Sequence, residues 1–465
     1  MKAEIITIGD ELMRGEIIDS NKARIAERLL SLDLDCRHQV SVLDDPADMR
    51  DAFLRAAARS DFVFVSGGLG PTRDDLTTEV MAETFGRKLE LDEASLAAIE
   101  GFFARVGREM VDTNRKQAYF PSGADVLANP IGTAPGFAIE VPGSSDESNR
   151  AGGDTSTTVF FSMPGVPREL DLMMDEQVLP RVEAKLAQAE VSGGSRRRIV
   201  RAALLATFGL GESTLEAELR DLLRDGEVEL GFRTSFPDNF LRPVARAKTL
   251  EQADALIAAA TRAIRERLGP VVYGEGKDTM ESVVGRLLIE REQTVATAES
   301  CTGGLIAERF TDVPGSSAYF LGGVVAYSNA AKTALLGVPE EMLEAHGAVS
   351  EQVVRAMAEG VRARFGSDFG VATSGISGPD GGTPEKPVGL VWIAIATKDQ
   401  THADSFVFQV DRSRHRRLTA QVALDWIRRS LIGAELVGPS LLRRAGGGST
   451  PGDAAGKPAP GSGAS

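Results

Sequence analysis

Short apolar runs that stop at glycines or small hydroxyl residues, each followed by a helical apolar stripe, recur along this chain. Ile5, Ile6 and Ile8 make a buried-strand pattern that ends at Gly9-Asp10-Glu11. Residues 21–30 then place Ile25, Ala26, Leu29 and Leu30 on one helical face. Asp45-Pro46 is a helix cap followed by proline at the first helical position, and it predicts a second helix as far as Arg59. Phe62-Val63-Phe64-Val65 is a wholly apolar strand that runs into Ser66-Gly67-Gly68-Leu69-Gly70-Pro71-Thr72-Arg73-Asp74-Asp75. Strands and helices alternating, with glycine-rich loops at the strand ends, predict an α/β fold with an open, mostly parallel sheet and its ligands at that edge.

The alternation continues downstream. A helical stretch over 169–189 stops at Gly193-Gly194-Ser195, and residues 196–268 read as a small α/β module. Its expected parts are a strand over 199–207, a helix over 213–223, extended segments over 228–246 and a helix from 249. Past Thr279, a helix turns Val283, Val284, Leu287 and Leu288 to one side. The apolar run 294–298 then stops at Glu299, Ser300, Cys301, Thr302, Gly303 and Gly304, before a stripe of Leu305, Ile306 and Phe310. That arrangement places a substrate-sized gap at a helix N-terminus. Pro314-Gly315-Ser316-Ser317 is a turn with two more hydroxyls. A strand over 320–327 leads into Ser328-Asn329, with Lys332 one helical turn on. A helix over 350–365 precedes a strand over 369–373 that ends at Ser374-Gly375-Ile376-Ser377-Gly378-Pro379-Asp380-Gly381-Gly382. Strands over 388–397 and 406–410 and a helix over 418–431 complete the pattern. The expected divisions are 1–175, a connecting α/β module 176–272, a C-terminal α/β domain 273–437, and a disordered Gly/Ser/Ala/Pro tail 438–465.

Composition narrows the partners. With 465 residues the chain is long enough for two or three cores, and 42% hydrophobic with 26% charged residues is ordinary for a globular protein. A net charge of −15 argues against general nucleic-acid binding, which draws on a basic face. Cys36 and Cys301 are the two cysteines, too few for a disulfide framework. No apolar run reaches the length of a membrane span, and MKAEIITIGDE lacks a signal-peptide core. The expectation is a cytoplasmic protein without nucleic-acid or membrane partners.

Two stretches carry candidate chemistry. Glycines 67, 68 and 70 let backbone N–H groups approach an anion, and Asp74 with Asp75 has the chemistry to hold a divalent cation against a diphosphate. The bland alternative is a turn and an Asp cap that start the next helix. Across Thr297–Lys332, hydroxyls on tight turns with a lysine and no histidine suggest an amide hydrolase whose base is lysine, with Ser317 and Lys332 as the chosen pair. By spacing alone, most lysines are solvated charges and most Pro-Gly-Ser-Ser runs are only turns. Cys301 is a rival nucleophile, since thiolates are favoured at helix N-termini. His38, His346, His402 and His415 are dispersed along the chain. Arg412 suits a phosphate, although Arg412-Ser-Arg-His-Arg-Arg reads equally as an exposed basic rim, as Arg196-Arg197-Arg198 reads as a solvated face.

Several motifs in one order add a resemblance. Thr297–Lys332, His346-Gly347-Ala348-Val349-Ser350, Ser374-Gly375-Ile376 with Gly378-Pro379-Asp380-Gly381-Gly382, and Asp411-Arg412 resemble the C-terminal domain of the CinA (competence/damage-inducible) family over roughly residues 275–437. TIGDELMRGEIIDSN resembles the opening of that family's N-terminal domain, and GGLGPTRDDLTTE resembles the signature of molybdopterin-binding proteins. Asn129–Gly136 and Met163-Pro164-Gly165-Val166-Pro167 match too. The resemblance implies deamidation of nicotinamide mononucleotide (NMN) in the C-terminal domain, with no cofactor. It points to Ser317, Lys332 and Tyr327 as catalytic residues and to Ser300, Thr302, Gly303, Asn329, Ser374, Gly375 and Arg412 as substrate ligands. In the N-terminal domain it implies metal-dependent hydrolysis of ADP-ribose to AMP and ribose 5-phosphate. Asp10, Gly67, Gly68, Gly70 and Thr72 would take the nucleotide, and Asp74 and Asp75 the metal. The alternative is an N-terminal domain that binds a nucleotide or pterin without turning it over. A homo-oligomer, a dimer, is expected.

Overall fold

The computed structural model describes residues 1–143, 157–191, 198–222 and 227–439. Most of the Gly/Ser-rich insertion expected at 143–158, the Gly193-Gly194-Ser195 boundary, Arg196, Arg197 and the tail from 440 lie outside the described residues. Contacts divide the chain into two units, 1–201 with 246–253, and 202–245 with the residues from 254 onward.

In the first unit, β1 (Lys2–Ile8), α1 (Ser20–Ser31), β2 (Asp35–Val42), α2 (Pro46–Arg59), β3 (Phe62–Ser66) and α3 (Thr77–Thr84) follow the sequence pattern closely. Asp45 caps α2 by accepting from the N–H groups of Ala47 and Asp48, with Pro46 at the first position, as its residue types require. β4 (Asp125–Leu127), β5 (Gly136–Pro142) and β6 (Thr157–Met163) complete a six-stranded sheet in the order β2-β1-β3-β6-β5-β4. The β1–β2, β1–β3 and β3–β6 pairs are parallel and the pairs with β5 antiparallel. β3 is buried along its whole length, the reason its sequence shows no alternation. α4 (Pro167–Met173) and α5 (Leu179–Val191) run on through a π turn, so this unit extends beyond the expected boundary at 175.

The second unit holds two sheets. β7 (Leu205–Thr207), α6 (Glu212–Leu219), β8 (Val228–Ser235), β9 (Asp238–Ala247, its last two residues grouped with the first unit), α7 (Leu250–Leu268, its first four likewise) and β10 (Val272–Glu275) give the strand order β8-β9-β7-β10, all antiparallel. After α8 (Met280–Glu290) come β11 (Val295–Glu299), α9 (Leu305–Thr311), β12 (Phe320–Val325), α10 (Asn329–Leu336), α11 (Glu351–Phe365) and β13 (Phe369–Gly375). β14 (Leu390–Ala396), β15 (Thr401–Val407) and α12 (Arg412–Ile432) end the described fold. The sheet order is β12-β11-β13-β14-β15, with β12, β11 and β13 parallel. Three parallel strands bring their carboxyl ends, at Glu299, Val325 and Gly375, to one edge. α12 starts two turns before the expected helix: Asp411 caps it by accepting from Arg414 N–H, so the basic hexapeptide is helical, with Arg412, Arg414 and Arg417 exposed, Arg416 half-buried and His415 buried. Among the described residues, no helix is long and apolar enough to cross a membrane.

Candidate active site

β11 delivers Ser300 to the sheet edge directly after its last residue, and α10 delivers Lys332 from the next crossover. Ser328 caps α10 by accepting from Ala331 N–H, which turns the Lys332 side chain inward. Lys332 is 1% exposed; its Nζ lies 3.1 Å from Ser300 Oγ, 2.9 Å from the Ala326 carbonyl and 3.5 Å from the Tyr327 carbonyl. Burial lowers its pKa below the ordinary lysine value, partly offset by the neighbouring Cys301. Nζ donates to the Ser300 hydroxyl oxygen and to both carbonyls; loss of a proton from the amine, which burial favours, frees a lone pair that can take the Ser300 hydroxyl proton.

The expected Ser317–Lys332 pair is not brought together. Ser317 is exposed on the 3-10 turn Ser316–Ala318, which enters β12, whereas Lys332 follows the far end of that strand. Six strand residues at ~3.3 Å each separate the two positions by roughly 20 Å. The helix N-terminus expected to face substrate is likewise occupied. The Glu299 carboxylate, 1% exposed, accepts from the N–H groups of Gly304, Ile306 and Ala307 at 2.9, 3.1 and 2.9 Å. This explains Cys301: burial first, then the Glu299 charge, push its thiol up to about 12, the reverse of the thiolate expected at an open helix start.

The remaining expected ligands divide into committed and available groups. Thr302 is buried with Oγ1 2.8 Å from Thr373 Oγ1, and Ser374 donates to the Ala348 carbonyl at 2.6 Å, so both hydroxyls serve the fold. Gly303, Tyr327 and Asn329 are exposed at the strand edge, and Gly375 is half-buried there. Arg412 donates to the Gly378 carbonyl at 2.9 Å and to the Tyr327 hydroxyl at 3.1 Å, bridging the glycine loop and the α10 entrance. Arg416, one turn on, donates to the Thr302 carbonyl at 3.1 and 2.7 Å.

In the first unit the glycine loop is tightly built. A Cβ on Gly67 would meet the Ile8 carbonyl oxygen at 2.2 Å, and one on Gly68 would meet Thr77 Oγ1 at 2.2 Å; both residues have positive φ. Asp75 Oδ2 accepts from Thr72 N–H at 2.8 Å and from Thr72 Oγ1 at 2.5 Å, and it lies where a Gly70 side chain would go. Asp75 thus braces the loop, while Asp74 is exposed. Asp10 accepts from Asp44 N–H at 3.2 Å and Asp44 accepts from Asp10 N–H at 2.8 Å, clasping two neighbouring loops. Burial, with Asp10, Glu11 and Asp74 nearby, raises the pKa of Asp44. A shallow pocket beside the loop is lined by Gly68, Gly70, Asp75, Thr78, Glu79 and Lys116. Among the described residues, no three His, Cys, Asp or Glu side chains converge as a metal site. With one Asp75 oxygen already taken by Thr72, the expected Asp74–Asp75 pair does not make a cation cage by itself.

Comparison with known proteins places this architecture. Residues 277–431 match the CinA C-terminal domain, 203–274 the damage-inducible protein CinA KH domain, and 4–184 a probable molybdopterin binding domain. The chain is 45% identical over 443 residues to a putative competence-damage inducible protein of Symbiobacterium thermophilum, covering 93% of this chain and 99% of that one. It is 42% identical over 435 residues to a CinA-like protein of Geobacter sulfurreducens, covering 93% and 100%. The chain belongs to the CinA family. Among solved structures, the competence damage-inducible protein A (ComA) of Klebsiella pneumoniae is similar at 35% identity, covering 34% of this CinA-family chain and 97% of that one, with a TM-score of 0.33. The CihA protein of Agrobacterium tumefaciens is similar at 38% identity, covering 33% and 97%, with a TM-score of 0.32.

Residue patterns alone had missed three features of this CinA chain: Ser300 as Lys332's partner, Glu299 as the α9 cap, and Arg416 on the Thr302 carbonyl. The last had a signal, since Asp411 as cap sets Arg412 and Arg416 four apart on one helical face.

Proposed function

We propose that the C-terminal domain deamidates nicotinamide mononucleotide, with Ser300 as nucleophile and Lys332 as base. The observation that carries this reading is the buried 3.1 Å contact between a hydroxyl and an amine whose pKa burial has lowered. Ser300 Oγ bonds to the carboxamide carbon as its proton passes to Lys332 Nζ. The carbon–nitrogen bond breaks and the same proton leaves with nitrogen as ammonia. Water, giving its proton to Lys332, then attacks the ester carbon; the carbon–Oγ bond breaks as Lys332 returns that proton to Ser300 Oγ, and nicotinate mononucleotide is released. Arg412, beside Tyr327 and Gly378, is the phosphate ligand. The test is ammonia release from NMN by the intact protein and by Ser300→Ala; equal release by both, or none by the intact protein, sinks this assignment.

For the N-terminal unit we propose a nucleotide site at the Gly67–Thr72 loop that takes ADP-ribose. The Gly67 N–H already donates to the Met163 carbonyl at 3.1 Å and the Thr72 N–H to Asp75 at 2.8 Å, so the diphosphate contacts are assigned to the backbone of Gly68–Gly70 between them. Since the residues present build no cation cage, a metal there would depend on the substrate's own phosphate oxygens. Incubation with ADP-ribose and a divalent cation, followed by assay for AMP, separates turnover from binding alone.

A further inference from the structure

The loop that carries Gly378 is held at both ends by a histidine that the proposed deamidation does not use. His415, in α12, is completely buried; its Nδ1 lies 2.9 Å from Ser377 Oγ and its Nε2 3.1 Å from the Gly389 carbonyl oxygen. A carbonyl only accepts, so Nε2 carries the proton and Nδ1 accepts from the Ser377 hydroxyl. Burial lowers the ring's pKa, the Gly389 carbonyl opposes that, and the Arg412 charge adds to it. The Phe408 ring packs 5.7 Å away, so the neighbours from the loop and from the segment after β15 are uncharged. Ser377 and Gly389 sit at the two ends of one loop, where Gly389 N–H also donates to the Ile376 carbonyl at 2.7 Å. Ser377 precedes Gly378, whose carbonyl orients Arg412 toward Tyr327.

We propose that His415 is a positioning residue: by clasping Ser377 and Gly389 it fixes the Gly378 carbonyl, and through it the Arg412 guanidinium that grips the substrate's phosphate. The proposal rests on the deamidase reading above. It makes the clasp a determinant of preference for phosphorylated over unphosphorylated nicotinamide nucleosides, because a guanidinium loses bidentate contact when its second anchor shifts.

The test compares NMN with nicotinamide riboside, which lacks the phosphate, in His415→Phe and Ser377→Ala. His415→Phe keeps a ring but drops both hydrogen bonds; Ser377→Ala removes one hydroxyl and carries the test if the first variant does not fold. Each should raise KM for NMN about tenfold while kcat changes less than about threefold, with kcat/KM for the riboside within about twofold of the starting protein. An equal loss on both substrates, or a fall in kcat with KM unchanged, would show that the pair merely supports the fold and would overturn the proposal. Unchanged kinetics in both variants overturns it as well. Absence of ammonia release from NMN by the unaltered protein, with no NMN binding by calorimetry, would instead bring down the functional reading and this proposal with it.

Discussion

Lys332 Nζ donates to one hydroxyl and two carbonyls, and its burial favours the neutral form that can take the Ser300 proton. That contact separates Ser300 from its competitors. Cys301, one residue on, is protonated because burial and the Glu299 charge hold its thiol up to about 12, and Ser317 lies roughly 20 Å from Lys332. Ser300→Ala and Lys332→Ala should therefore each lower kcat for ammonia release by about a thousandfold or more, and the double variant little further. Cys301→Ala and Ser317→Ala should keep most activity; a dead Cys301→Ala beside an active Ser300→Ala would reverse the assignment. Lysine burial also has a stability consequence. Its folded pKa is lowered, so the unfolded chain binds the proton more readily, and folding is penalised below the ordinary lysine value and relieved as pH rises toward it. Lys332→Met should abolish turnover yet leave the thermal midpoint at pH 7 unchanged or higher, as expected of a site that trades stability for reactivity. A midpoint several degrees lower would show that the amine's hydrogen bonds outweigh its desolvation.

Elements, not single residues, explain why the α9 N-terminus is closed to substrate. α9 has seven residues and starts after Gly303 and Gly304, both with positive φ, so its first N–H groups turn back onto the end of β11. Glu299, the last residue of that strand, accepts three of them while almost fully buried. Glu299→Ala leaves those donors without partners and should cost about 2–4 kcal/mol, read as a lower denaturation midpoint in urea at unchanged slope. A loss below about 0.5 kcal/mol would mean that water reaches these groups, which their burial argues against. α12 works in the opposite direction, from one helix to several loops. Arg412, His415 and Arg416, within two turns, hold Gly378, Ser377, Gly389 and Thr302.

Across the second unit, a half-buried polar chain ties its two sheets together. Asp238 at the start of β9 accepts from Gln421 of α12 at 2.6 Å, and Gln421 accepts from Arg309 of α9 at 2.7 Å. Arg309 also donates to Glu281 of α8 at 2.6 and 3.1 Å. Burial raises the Asp238 pKa to about 7, against the pull of Arg309 and the Tyr273 hydroxyl, and with help from Glu281 and Asp425. A folded pKa above the unfolded value means the folded state holds the proton more tightly. That contribution is fully present below the ordinary aspartate range and is lost as pH rises through about 7. The thermal midpoint should therefore fall between about pH 4 and about pH 7 and level off above that, and Asp238→Asn should flatten that fall. An identical pH dependence in the variant would assign the titration to another group.

Periodicity and loop chemistry determined much of this protein by themselves. The strand–helix alternation, the Asp45-Pro46 start, the apolar β3 and the glycine loops at strand ends were all legible, because each depends on residues within a few positions of one another. That Lys332, Arg412 and the 299–304 stretch would gather at one sheet edge was legible too, through motif order. Which hydroxyl meets the lysine was not. Ser300 and Ser317 lie 32 and 15 residues before Lys332, yet the more distant one makes the contact, because parallel β11 and β12 carry Ser300 and Lys332 to the same sheet edge and leave Ser317 at the other. The same holds for charge state. A lysine, a cysteine and a histidine titrate away from their ordinary values only once packing has removed water from them, and that removal is a property of the assembled fold.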